Sequence, residues 1–182
     1  MTDLAAQRKD LIESLQRHRG FLLQTADGLS DEQARTASTV SALTIAGVLK
    51  HVADTEEQWF RFVEVGAEAF AGYIGEGMDY ESFAAEVDSA EEEWVDERFV
   101  LSDEETLEVL IARVKSVAAR SEEILAAADL DLVRPLPQTP WYEPGTAWSA
   151  RRVAIHMLAE ISQHAGHADI IREAIDGQKT MG

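Results

Sequence analysis

The sequence predicts an all-α protein, a four-helix bundle with long crossover connections, and three observations carry that prediction. Apolar residues recur at alternating spacings of three and four along four long stretches, the period of a helix with one face in a core. Period-two alternation, the mark of strands, is sustained nowhere. The links between the periodic stretches are unequal in length, which permits crossovers instead of a simple up-and-down arrangement. No internal repeat divides the 182 residues, and 46% of them are hydrophobic, so one domain over residues 1–182 is expected.

The first helix is expected over 3–27, with Leu11, Leu15, His18 and Leu22 on its inner seam. Ser30, followed by Asp31, Glu32 and Gln33, has the pattern of a capping box that starts a short helix. The second long helix starts at the cap Thr44 and runs to about residue 71, with Ile45, Val48, Val52, Thr55, Trp59 and Phe62 as its seam. The third is expected to follow the cap Ser102, with Asp103, Glu104 and Glu105 in its first turn. Its seam is Leu107, Leu110, Val114, Val117, Ser121 and Ile124. The fourth follows Ser149 and ends near Asp176, with Gly177 as its C′ residue. Its seam is the most regular of the four: Ala150, Ala154, Met157, Ile161, His164, Ala168, Ile171 and Ile175.

Two links stand out. Residues 72–101 carry the helix breakers Gly72, Gly75 and Gly77 and have room for a short helix near 80–87. All four prolines lie between Pro135 and Pro144, in the link that also holds Trp141 and Tyr142, with Trp148 just after it. Aromatics on a proline-stiffened loop either wall a pocket near the start of the fourth helix or cover the end of the core.

Charge and composition exclude several classes. The 34 acidic and 16 basic residues give a net charge of -18, which repels phosphate backbones and anionic lipid, so neither nucleic acid nor membrane is an expected partner. Much of the acid is local: residues 86–108 hold eleven carboxylates against the single Arg98, a pattern of a solvated face plus a helix start. Cysteine is absent, so there is no disulfide, thiolate ligand or cysteine nucleophile, and any thiol chemistry needs a thiol from outside. The first ten residues lack the apolar core of a signal peptide and no run reaches membrane-spanning length, which leaves a cytoplasmic location as the expectation.

The chemistry sits on the fourth helix. Glu160 and His164 are four residues apart, about 40° from one another around a helix and one turn apart along it. A carboxylate and an imidazole so placed can reach one divalent ion together, and His51, on the second helix, supplies a third donor. Three protein ligands with an open position form the catalytic arrangement of zinc, although two histidines and one carboxylate also suit non-heme iron. His164 occupies a seam position, where the alternative is a hydrogen-bonded core histidine. His156, His167 and His18 are weaker candidates, more structural than catalytic. Asp54 and Glu56 are candidates to orient a ligand imidazole or to pair with Arg61 or an arginine of the fourth helix.

At these residues the chain resembles the DinB/YfiT-like superfamily of metalloenzymes. The resemblance rests on Leu43 through Glu56 with Trp59-Phe60, on His156 through Glu160, on Gln163 through Glu173, on Leu29 through Gln33, and on the order of the four helices. It implies a bundle of unusual connectivity, a homodimer, and metal ligands His51, Glu160 and His164. The superfamily frequently has His-x-x-x-His on its last helix. Glu160 in the first of those positions is similar instead to the thiol-dependent maleylpyruvate isomerases. The stretch Gln163 through Asp169 is closest to the actinobacterial branch that uses mycothiol. What the resemblance implies is a transferase dependent on zinc or another divalent metal, joining a low-molecular-weight thiol such as mycothiol or bacillithiol to an electrophile. Two alternatives stay open: an isomerase of the maleylpyruvate type, and a non-catalytic, stress-related helical dimer that binds a metal or ligand. Such thiols carry polar or anionic groups, and Arg151 and Arg152 at the start of the fourth helix, with Arg134 on the loop, are the cations expected to meet them.

Overall fold

The computed structural model describes residues 3–71, 97–139 and 142–180. The helix expected near 80–87 and Trp141 lie outside the described residues. Helix α1 spans Leu4–Gln24, and the Asp3 carboxylate caps it by accepting from the backbone N–H of Ala5 at 3.0 Å and Ala6 at 3.3 Å. The short α2, Asp31–Ala34, opens with the complete capping box of Ser30 and Gln33. Helix α3 spans Ile45–Val65 behind Thr44, whose hydroxyl accepts from Gly47 N at 3.0 Å. It stops at Gly66, which takes φ +74°, and continues as a 3₁₀ turn over Gly66–Phe70, so the α-helical part is shorter than the sequence suggested. A second 3₁₀ turn, Glu97–Phe99, precedes α4, Leu107–Ala127. Helix α5, Ala150–Asp176, is capped by Ser149 and ends at Gly177 in the left-handed conformation.

Two expectations are corrected. The third long helix starts after Thr106, not Ser102. The carboxylate of Glu105 turns back to accept from Ser102 N at 2.7 Å and from Lys50 Nζ at 3.3 Å, closing a separate turn. Asp31, from α2, then accepts from Leu107 N at 2.7 Å, so part of the α4 start is capped from another element. The second correction is a small antiparallel pair, β1 Val133–Pro135 with β2 Ala147–Ser149, in which Arg134 faces Trp148. Strands of three residues are too short to show a period, which is why alternation did not reveal them.

Packing follows the seams. Helix α5 lies against α1 and α3, and α4 against α3 and α1. All six residues predicted for the α4 seam are buried, as are seven of the eight on α5, with Ile175 partly buried. Phe60, Phe62, Leu15, Leu22, Leu110, Leu125, Met157 and Ile161 form the fully buried centre. No described helix is long and apolar enough to cross a membrane.

One ionic knot lies within this core. Arg19, 3% exposed, donates through Nε to Glu56 Oε2 at 3.0 Å, and Glu56 is 1% exposed. A second guanidinium nitrogen also meets Glu56, and the third donates to Glu122 Oε1 at 2.9 Å. This differs from the partners expected for Glu56, Arg61 or an arginine of the last helix. The pairing with α1 was not visible because Arg19 has no local partner. At the other end, Arg172 donates to the carbonyls of Thr25 and Asp27, both at 2.8 Å, tying the end of α5 to the turn after α1.

Removing one partner of the buried pair leaves an uncompensated charge, so Glu56→Ala should cost about 3–5 kcal/mol in unfolding free energy. The double variant Arg19→Met with Glu56→Leu should recover most of that loss. Denaturant titration checks both; a Glu56→Ala midpoint equal to wild type would show that the pair is not held in the core.

Candidate metal centre

The facing sides of α3 and α5 meet at three donors. His51 of α3 is 5% exposed, and Glu160 and His164 share one face of α5. One ligand atom from each of the three lies within 4.8 Å of the others. His164 Nε2 is 3.7 Å from Glu160 Oε2, and the His51 and His164 rings stand 4.7 Å apart at 64°. Donors about 2.0–2.2 Å from a common ion sit roughly 3–4 Å from one another, so small side-chain rotations complete a three-ligand site. His164 Nδ1 is buried and has no hydrogen-bond partner among the described residues, an uncommon condition for a buried polar atom. The donor set, two imidazoles and one carboxylate, fits a divalent ion.

The electrostatics favour the ligating form. Burial pushes the His164 pKa below its ordinary value of 6.5; Glu160 opposes that shift, while His167 and Arg98 add to it. A neutral imidazole is what a metal requires. His156 is lowered in the same way, first by burial, with Glu160 opposing and Arg152 adding.

Aromatic rings frame the donors. Phe99 stacks on His51 at 4.4 Å and 24°. That contact brings the Glu97–Phe99 turn against α3, and Gly47 makes room for it: a Cβ there would lie 2.8 Å from the Phe99 carbonyl oxygen. The one sign of this pair in the sequence is a glycine inside an otherwise helical pattern. On the other side Trp59 and Trp148 stack at 4.8 Å and 15°, and the His156 ring meets both edge-on, at 4.9 and 5.1 Å.

A cleft of about 250 Å³ opens beside the donors, walled by His51, Glu160, His156, Trp59, Phe70, Thr139, Tyr142 and Arg98. Larger clefts of about 530 and 450 Å³ lie elsewhere, one near the α2 and α4 starts and one between α3 and α4, but neither has a histidine in its wall. The aromatic loop serves both expected roles: Tyr142 walls the cleft, and Trp148 packs on the core.

The remaining candidates spread out. Arg151 is engaged by Gln7 and by Asp131, the latter at 2.8 Å, and the Arg152 guanidinium sits 5.0 Å over the Trp148 ring. Arg134 donates to the carbonyls of Val63 and Glu64 at the end of α3 instead of reaching the cleft. Among the described residues the arginine in the cleft wall is Arg98, which in sequence stands within the acidic run of residues 86–108. Asp54 pairs with Arg113, and burial raises its pKa. His18 Nδ1 meets Ser162 Oγ at 3.1 Å, away from the cluster. His167 stands edge-on to His164 at 5.4 Å.

Comparison with known proteins points one way. The family model described as mycothiol-S-transferase matches residues 10–177. No curated protein matches the chain. A solved structure described as "Crystal structure of the conserved protein of locus from Enterococcus faecalis" superposes with a TM-score of 0.65 at 13% identity, covering 98% of this chain and 100% of that one. At that identity the likeness shows the shared fold.

Burial lowers the pKa of His156 and His164 from 6.5, so just below pH 6.5 the unfolded chain binds more protons at these sites than the folded one. Stability therefore rises with pH through that window and falls as pH drops from about 7 toward 5. Melting curves of chelator-treated protein should show this fall, and the double variant His156→Gln with His164→Gln should flatten it. An identical slope in the double variant would mean that the imidazoles are not held neutral by the fold.

Proposed function

The chain belongs to the mycothiol-S-transferase family, and from that premise we propose that it is a single-domain, divalent-metal-dependent transferase joining a low-molecular-weight thiol such as mycothiol to an electrophilic small molecule. The observation that carries the reading is the convergence of His51, Glu160 and His164 beside the cleft. Zinc, or another divalent ion held there, would act as a Lewis acid that lowers the pKa of an incoming thiol toward neutrality.

The chain's own residues set up the rest. Glu160 contributes negative charge, and the two histidines are neutral donors, so the site keeps net positive charge on a divalent ion and attracts an anionic sulfur. Trp59, Phe70 and Tyr142 give one side of the cleft an aromatic wall, against which the electrophile would lie. In a displacement, the S–C bond forms as the bond from carbon to its leaving group breaks, and the thiol proton passes to solvent. The chain has no cysteine, so the protein offers no competing thiolate. Arg152, stacked on Trp148, is our candidate for the polar or anionic part of the thiol, more than Arg151, which Gln7 and Asp131 engage. Glu160 in the donor set, which resembles the maleylpyruvate isomerases, supports a second reading in which the same thiol assists an isomerisation. A homodimer and a cytoplasmic setting complete the proposal; the outer face of α5 exposes Ile155, Ala159, Gly166 and Ile170, a surface suited to a second copy.

His164→Ala should abolish metal retention and the conjugation of mycothiol to monochlorobimane while far-UV circular dichroism stays helical. The truncation leaves a cavity at the bundle edge costing about 1–3 kcal/mol, which four apolar seams tolerate. His167→Ala should keep its metal. If His164→Ala unfolds the chain, and zinc never shifts the wild-type melting temperature, His164 is a core histidine and the proposal fails. Light scattering should give about twice the 20.1 kDa chain mass; a monomer mass at micromolar concentration removes the dimer.

A further inference from the structure

Glu160 faces an imidazole with each of its oxygens. Oε2 is 3.7 Å from His164 Nε2, and Oε1 is 3.9 Å from His156 Nε2. The three residues form a ladder at successive intervals of four on one side of α5. His164 has His51 beside it across the helix interface, but His156 belongs to a different neighbourhood. Its ring is fixed edge-on against both members of the Trp59–Trp148 stack. An imidazole held by two tryptophans on two different elements has little rotamer freedom, and the nitrogen it offers points at the carboxylate.

From this geometry we infer that His156 is a positioning residue for Glu160: its Nε2–H holds Oε1, so that Oε2 alone is presented to the metal beside His164. This rests on the proposed metal site. The separation of 3.9 Å is longer than a direct hydrogen bond, and it closes by a small rotation of the flexible Glu160 side chain or through one bridging water. Holding one oxygen has two effects. It keeps Glu160 from chelating the ion with both oxygens, which leaves a coordination position open toward the cleft. It also fixes the carboxylate before the metal arrives, which removes an ordering step from binding. His156 acts here in its neutral form, as a donor.

Co(II) titration of the full-length, chelator-treated chain tests this, because the visible spectrum of Co(II) reports coordination number and geometry without any turnover. Wild type should bind one equivalent with the intense visible bands of a four-coordinate site. His156→Phe keeps an aromatic ring between the tryptophans but has no donor; it should weaken Co(II) binding roughly 10–100-fold and lower the band intensity, as expected for loss of a group that orients a ligand. His156→Gln offers an amide N–H close to the position of Nε2 and should restore most of the affinity and the spectrum. Equal binding by wild type and His156→Phe, or failure of Gln to do better than Phe, overturns the inference while leaving the metal site standing. A loss in His156→Phe as complete as in His164→Ala also overturns it, by making His156 a ligand. A wild-type chain that takes up no Co(II) overturns the metal site and the inference together. His156→Phe preserves the aromatic packing, and its circular dichroism should match wild type; if that variant is unfolded, the comparison of His156→Gln with wild type decides, equal affinity and spectrum supporting the inference and a loss overturning it.

Discussion

The guanidinium of Arg19 ties three of the four long helices to one point. It reaches from α1 to Glu56 on α3 and to Glu122 on α4, and the Arg19–Glu56 pair is almost wholly removed from solvent. A buried pair of this kind adds little net stability over apolar residues of the same volume, because desolvation offsets most of its attraction. What it fixes is rotation. His51 lies five residues before Glu56, about 140° away around the helix, so turning Glu56 toward α1 and α4 turns His51 toward α5. The donor cluster therefore depends on an interaction on the opposite side of α3. Arg172 anchors the far end of α5 in a comparable way, through two carbonyls of the turn after α1.

Around the donors, the protein builds a wall of aromatic rings. His51 stacks on Phe99, His156 meets Trp59 and Trp148, and Tyr142 meets Trp148 at 5.7 Å. Burial then depresses the histidine pKa values, which is the condition for ligation, and raises that of Tyr142, with Glu160 adding to the rise. The arrangement has a single permissive residue at its base. Gly47 lets a backbone carbonyl approach α3 within a distance that any side chain would obstruct, and the Phe99 ring rests on His51 as a result.

How much of this was legible in the sequence follows the range of the interactions involved. The α4 seam was readable residue by residue, because helical period and burial are both local consequences of one repeating geometry. The grouping of Glu160 with His164 was readable for the same reason, and His51 joined them through its neighbours in the second helix. The start of α4 was misplaced because Ser102 and Glu105 satisfy a capping pattern that here closes a turn, while at the true start the Leu107 N–H donates to Asp31, more than seventy residues away in sequence. The Arg19–Glu56 pair, the Phe99 stack and the two short strands depend on contacts between distant segments, and of the three only the stack leaves a trace in the sequence, the glycine at position 47. Among the arginines, spacing identified those nearest the start of α5, whereas the described cleft wall includes Arg98 from another turn.

The donors sit on α3 and α5, and more than half the chain lies between His51 and Glu160. An ion bridging those helices would be a removable cross-link across a very long loop, the position where a cross-link most restricts the unfolded chain. Its free energy of binding would add to the free energy of folding, because the unfolded chain holds His51 far from Glu160 and His164. A preparation with partial metal content would then be a mixture of two proteins with one sequence, a clipped form and an unclipped form that differ in rates of unfolding and of proteolysis. Resistance to a protease would report the fraction clipped, with no need for a substrate at all.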